Sequence, residues 1–143
     1  ATSIVLVFLL ALFGVNNLYL KSAFSNTNYV KATFLAEEGL EAMRFLRDSS
    51  WDSNITPLAL GTKHSLVFQS GTWQVSPATT FIDGAFDRVV VLSAVYRDAT
   101  DDIVSSGGTL DPNTRLVTAT VSWLVGTATT TKQVSTYISD IVD

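Results

Sequence analysis

The chain has no cysteine and a single histidine. The first absence removes disulfides, thiolate metal sites and cysteine nucleophiles. The second removes any centre that needs more than one imidazole. Charge is scarce as well, at 15% of residues against a norm of about 25% for soluble domains. The nine Lys and Arg are scattered and the net charge is −4, so the basic stripe of a nucleic-acid binder is missing. No glycine-rich phosphate loop is present: Gly107–Gly108 lies in a Ser/Asp turn without a following Lys and helix. What the chain does have is apolar residues, 47% of its 143, and 33 Ser plus Thr, concentrated after Trp51. A chain this long can bury a core, and this composition suits one that spends part of its life in lipid or in a large protein interface.

The apolar residues are not evenly spread. Ile4 to Phe13 reads IVLVFLLALF, ten apolar residues without a break, and Gly14 and Val15 extend it. A spanning helix takes roughly 17–25 apolar residues, so this run alone is short. The pattern resumes after Asn16 and Asn17 with Leu18, Tyr19, Leu20, Ala23 and Phe24. A helix apolar on every face needs cover all round, and lipid or a bundle of like helices provides that better than one small domain.

The next stretch, FLAEEGLEAMRFLRDSSW, is different. At 100° per residue Tyr29, Thr33, Ala36, Leu40, Met43 and Leu46 form one stripe, with Glu37, Glu38, Glu41, Arg44 and Asp48 opposite. Glu41–Arg44 and Arg44–Asp48 have the spacing of helix ion pairs. Arg44 and Arg47 near the C-terminal end suit the helix dipole. SSWDSN and then Pro57 close the element, and Gly14, Asn16 and Asn17 are its weak point. One helix over about 3–49 is expected.

From His64 the period becomes two. SLVFQ (65–69) and TWQV (72–75) read as a hairpin. FDRVVVLSAVY (86–96) reads as a central strand covered on both faces. Residues 97–113, with SSGG and DPN, read as a loop. In 115–125, Val117, Ala119, Val121, Trp123 and Val125 alternate with Leu116, Thr118, Thr120, Ser122 and Leu124. GTATTT then turns the chain into KQVSTYI (132–138). The expectation is an α+β fold: a long N-terminal helix packed on a four- to five-stranded antiparallel sheet. It divides into an arm, 1–25, and a head, 26–143, made of an amphipathic helix (26–50), a loop (51–63) and the sheet (64–143).

Little in the sequence suggests chemistry. Glu37, Glu38 and Glu41 sit on the wet face of a helix without a visible partner acid. His64 has no second imidazole to orient it. Asp98, Asp101, Asp102 and Asp111 carry hard oxygen ligands, but without the EF-hand spacing. Asn54-Ile55-Thr56 fits the glycosylation pattern, which has many chance matches. No catalytic, cofactor or metal residue is expected.

The order of segments resembles the bacterial type IV pilin and pseudopilin family. The specific part is the helix end, Ala36, Glu38, Leu40, Glu41, Arg44, Arg47, Asp48 and Trp51, similar to A-x-E-x-[IL]-E-x-x-R-x-x-R-D-x-x-W. VTATVSW and KQVSTYISDI are similar to the last strands of such heads. The chain departs from the family at Ala1-Thr2-Ser3, where mature pilins carry an aromatic residue and, a little later, a glutamate. Measured back from Ala36 the arm is short by about two turns, which implies that several residues precede Ala1. The resemblance implies a subunit anchored by its arm in the inner membrane. The pilus assembly machinery would then draw it into an extracellular homopolymer. The assembly interface would be Ile4, Val5, Leu6, Val7, Phe8, Leu9, Leu10, Leu12, Phe13 and Leu18. Ala36, Leu40, Met43 and Leu46 would pack the helix on the head. A minor pilin or secretion pseudopilin, and a membrane-anchored binding domain that never polymerises, fit the same pattern.

Overall fold

A computed structural model describes the backbone of residues 2–141 and the side chains of residues 4–141. The chain forms two compact units, Ala1–Lys31 and Ala32–Asp143. Helix α1 runs over Thr2–Ser49 and continues through Gly14, Asn16 and Asn17.

From Ala32 onward α1 is one-sided. Ala32, Ala36, Leu40, Ala42, Met43 and Leu46 are buried, while Glu37, Glu41, Phe45 and Asp48 are exposed. At the end of the helix the Leu46 carbonyl takes a side-chain donor besides its ordinary helical partner. The amides Ser50 N and Asn54 Nδ2 both donate to Leu46 O, at 3.1 and 3.0 Å. Ser50 is then the N-cap of a one-turn helix, α2 (Trp51–Asn54), its Oγ accepting from Ser53 N at 3.2 Å. The sequence reading places this turn in an open loop. Trp51 explains the difference: its indole is buried in the core, and the Arg115 guanidinium lies 5.7 Å from the ring centre.

Seven antiparallel strands follow. They are β1 (Lys63–Gln69), β2 (Thr72–Ser76), β3 (Phe81–Ile82), β4 (Phe86–Arg97), β5 (Ile103–Val104), β6 (Thr109–Val125) and β7 (Ala128–Ser139). The main path runs β2-β1-β4-β6-β7, with β3 and β5 pairing on β4. The fold is therefore the α+β class expected, with more strands than the four or five anticipated. The additional ones, β3 and β5, are two residues each and too short to show a period. Ser70 and Gly71, both at positive φ (54° and 78°), make the two-residue turn of the β1–β2 hairpin.

Two further expectations change. Strand β4 is covered on one face only: Phe86, Arg88, Val90 and Leu92 are buried, and the intervening Asp87, Val89, Val91 and Ser93 are half-exposed. Its apolar outer residues are β-branched valines, which suit a pleated surface whether or not it is covered. The 97–113 loop is also partly strand, because β6 begins at Thr109 and pairs with β4 on both sides of a bulge. Pro112, which lacks an N–H, sits in that irregularity.

The core lies between the inner face of α1 and the inner face of the sheet. Leu66, Val90, Leu92, Val117, Ala119, Val121, Trp123 and Ile138 meet Ala36, Leu40, Met43 and Leu46 there. Met43 is fully buried and central to this layer. Met43→Ala is expected to cost about 2–5 kcal/mol by leaving a cavity. Thermal unfolding of the full chain in detergent micelles, followed by tryptophan fluorescence, measures it.

Candidate functional site

Three places carry the polar or exposed groups from which a site would be built: the carboxylates of α1, the acidic loops between β4 and β6, and the apolar arm.

The carboxylates of α1 separate on folding. Glu41, which is exposed, pairs with the half-exposed Arg44 one turn on. Arg44 does not reach Asp48 as its spacing suggests. Its Nη2 donates instead to Thr136 Oγ1 on β7 at 3.3 Å, and Asp48 pairs with Arg47 at 2.7 Å. Glu38 is not simply on the wet face. It pairs with Arg88, whose side chain is almost completely buried beneath α1. Arg88 also donates to Leu35 O at 3.3 Å and Leu66 O at 3.5 Å, and its guanidinium lies 5.1 Å from the Trp73 ring centre. Beside it Gly39 has no room for a side chain: an added Cβ would lie 3.2 Å from Arg88 Cδ and 3.4 Å from Ala119 Cβ. This cluster ties helix to sheet, and with one carboxylate spoken for it offers no acid–base pair. The sequence reading misses Arg88. Its signal is a cation in phase with Phe86, Val90 and Leu92 on the inward face of a strand.

The acidic residues near β5 are similarly occupied. Asp111 accepts from Arg97 Nε at 2.7 Å and from Asn113 N at 2.9 Å. Asp98 Oδ1 accepts from Thr100 N, Thr100 Oγ1 and Asp102 N at 2.8, 2.7 and 3.1 Å. The Arg97 hydrogen bond holds the Asp111 carboxyl below its ordinary range, and the Thr100 hydroxyl does the same for Asp98. Arg97 is raised in turn, chiefly by Asp111. Among the described residues no three His, Cys, Asp or Glu side chains converge as a metal would require. His64 lies inside β1, with Nε2 3.0 Å from Ala59 O. The Asn54 amide nitrogen of the glycosylation pattern serves as the cap of α1 already described.

The arm is the remaining candidate. Ile4, Val5, Leu6, Val7, Phe8, Leu9, Leu10, Leu12, Phe13 and Leu18 are 48–69% exposed, on all sides of α1. Leaving one such side chain in water forgoes about 1.5–3 kcal/mol. Ten of them forgo more than about 10 kcal/mol, comparable to the whole stability of an ordinary domain. Ile4 to Phe24 spans about 30 Å at 1.5 Å per residue, the thickness of a bilayer's hydrocarbon core. The helix is long and apolar enough to cross a membrane, and its most apolar stretch is nowhere buried. Comparison with known protein families, with curated proteins and with solved structures finds no match.

Two outcomes test these assignments. Glu38→Gln weakens a charge-assisted bond to a buried cation; because Glu38 is half-exposed, a loss of about 1–2 kcal/mol is expected in thermal unfolding. For Asp111 the folded carboxyl titrates below the unfolded one, so its contribution is full above the ordinary aspartate range near pH 3.8 and is lost as pH falls through the lower folded value. Asp111→Asn is therefore expected to be less stable than the parent at neutral pH. The difference should narrow below about pH 4, as acid titration followed by circular dichroism would show.

Proposed function

We propose that this chain is the structural subunit of a type IV pilus-like filament, held by its arm in the inner membrane before assembly and polymerised through the same arm afterwards. The observation that carries the reading is the uncovered arm, apolar on every side, followed in the same helix by a stretch whose one apolar face is already buried. The two halves of α1 thus have different needs. Residues from Ala32 onward are satisfied within their own unit. Residues 4–24 require a second apolar phase, and lipid and a bundle of identical arms are both adequate. Transfer between them changes apolar exposure little, so hydrophobic free energy opposes neither state strongly.

The resemblance at Ala36–Trp51 supports the choice of a filament over an anchor alone. Under this reading the sheet units form the outer surface, the assembly machinery extracts the arm, and no catalysis is involved. A minor pilin or pseudopilin would use the arm identically and differ in copy number. A non-polymerising anchored domain would leave it permanently in lipid.

The test is substitution within the arm. Leu9→Asp or Leu10→Asp is expected to abolish filaments seen by electron microscopy, with the subunit identified by mass spectrometry. The tryptophan fluorescence of the head should keep its folded signature. Parent-like filaments from either variant would overturn the proposal.

A further inference from the structure

One side of the arm differs from the rest. Leu9, Phe13, Asn16, Leu20, Ala23 and Thr27 follow one another in alternating steps of four and three residues. This is the spacing of a helix–helix seam. Leu9 and Leu20, at 48% and 47%, are the least exposed large apolar residues among 4–24. A shallow groove lined by Leu9, Leu12, Phe13, Val15, Asn16 and Tyr19 flanks this side and shares Leu9, Phe13 and Asn16 with it. Within the seam Thr27 closes its hydroxyl on Ala23 O at 3.0 Å. Asn16 is exposed, and no side-chain hydrogen bond involves it among the described residues.

An amide carries two donors and a two-lone-pair acceptor, and leaving these unmet in hydrocarbon is unfavourable. Asn16 lies about 7.5 Å along the helix before Lys21, whose ammonium reaches toward head groups. Lipid chains offer the amide nothing. A second copy does: single-span chains inserted in the same direction place the same residue at the same depth, and two facing primary amides satisfy each other. A polar residue at one seam position also penalises slipped pairings, because a shift of one heptad sets the amide against Leu9 or Ala23.

We propose that in the membrane two copies of the arm pair in parallel and in register along this seam, with the Asn16 amides hydrogen-bonded across the interface. The inference rests on the arm's reading as a membrane-spanning segment and deepens it: the chain enters assembly as a pair.

The absence of cysteine in the sequence makes the test direct. The full chain is reconstituted in phosphatidylcholine vesicles with one cysteine, either Leu20→Cys on the seam or Leu18→Cys on the opposite side, and oxidised. Vesicle flotation after an alkaline wash reports insertion independently. Leu20→Cys is expected to give disulfide-linked dimers and Leu18→Cys few at the same density. Adding Asn16→Leu to Leu20→Cys should weaken dimerisation about 3- to 30-fold, and Asn16→Gln should restore much of it. Flotation should be unchanged throughout. Equal crosslinking at 18 and 20, or no effect of Asn16→Leu, would overturn the pairing while leaving the membrane reading intact. Failure of the parent chain to float would overturn both.

Discussion

At Gly39 the inner face of α1 comes so close to β4 and β6 that a single added carbon would touch Arg88 and Ala119. That approach sets the spacing of the core layer. Small residues, Ala32, Ala36, Gly39 and Ala42, let the helix backbone down toward the sheet, and Leu40, Met43 and Leu46 fill the room that remains. Close approach also brings α1 over Arg88, a residue that would otherwise carry an intolerable buried charge. Glu38, two carbonyls and the Trp73 ring replace part of what solvent would supply, while the buried Arg88 Nε has no hydrogen-bond partner. The ion pair adds little net stability beyond an apolar isostere of similar shape. Its stronger effect is on register: helix displacement by a turn would leave the guanidinium buried without its carboxylate.

The same helix therefore faces two different problems along its length. In Ala32–Ser49 one side is closed by the sheet and the other carries charges that water solvates. In 4–24 no side is closed, and Lys21 is the sole charge. A soluble monomer would leave the arm's surface in water, at a cost as large as the head's entire expected stability. This constraint comes before any choice between anchor and filament.

The fold class was legible because both halves of the chain keep a clean period. Residues 29–46 repeat with the helix, and 115–125 with the strand, so a helix followed by an antiparallel sheet could be read directly. What was not legible depends on partners distant in sequence. Glu38 and Arg88 are 50 positions apart, and nothing local to either announces the other. β3 and β5 exist only because β4 offers them an edge to pair with. On the outer face of β4, Val89 and Val91 fit a half-exposed pleated surface as well as a buried one, so their apolarity alone does not tell the two apart. The arm's composition was plain residue by residue, while the phase that covers it is a property of the assembly and not of local pattern.

The outer face of the sheet sharpens the contrast with the arm. Thr118 and Ser135 share a hydrogen bond at 2.9 Å across β6 and β7, and Gln133 donates to Thr120 Oγ1 at 3.1 Å. These cross-strand pairs satisfy hydroxyls and amides that remain open to water. A Ser- and Thr-rich sheet can then stay solvated with few charges, and the low charge fraction of the chain need not imply an insoluble head. The longest unbroken run of exposed apolar side chains is instead the first part of α1, about twenty residues, the length that spans a bilayer. The residues that hold α1 to the sheet begin only at Ala32, so the core does not draw on the arm's apolar side chains.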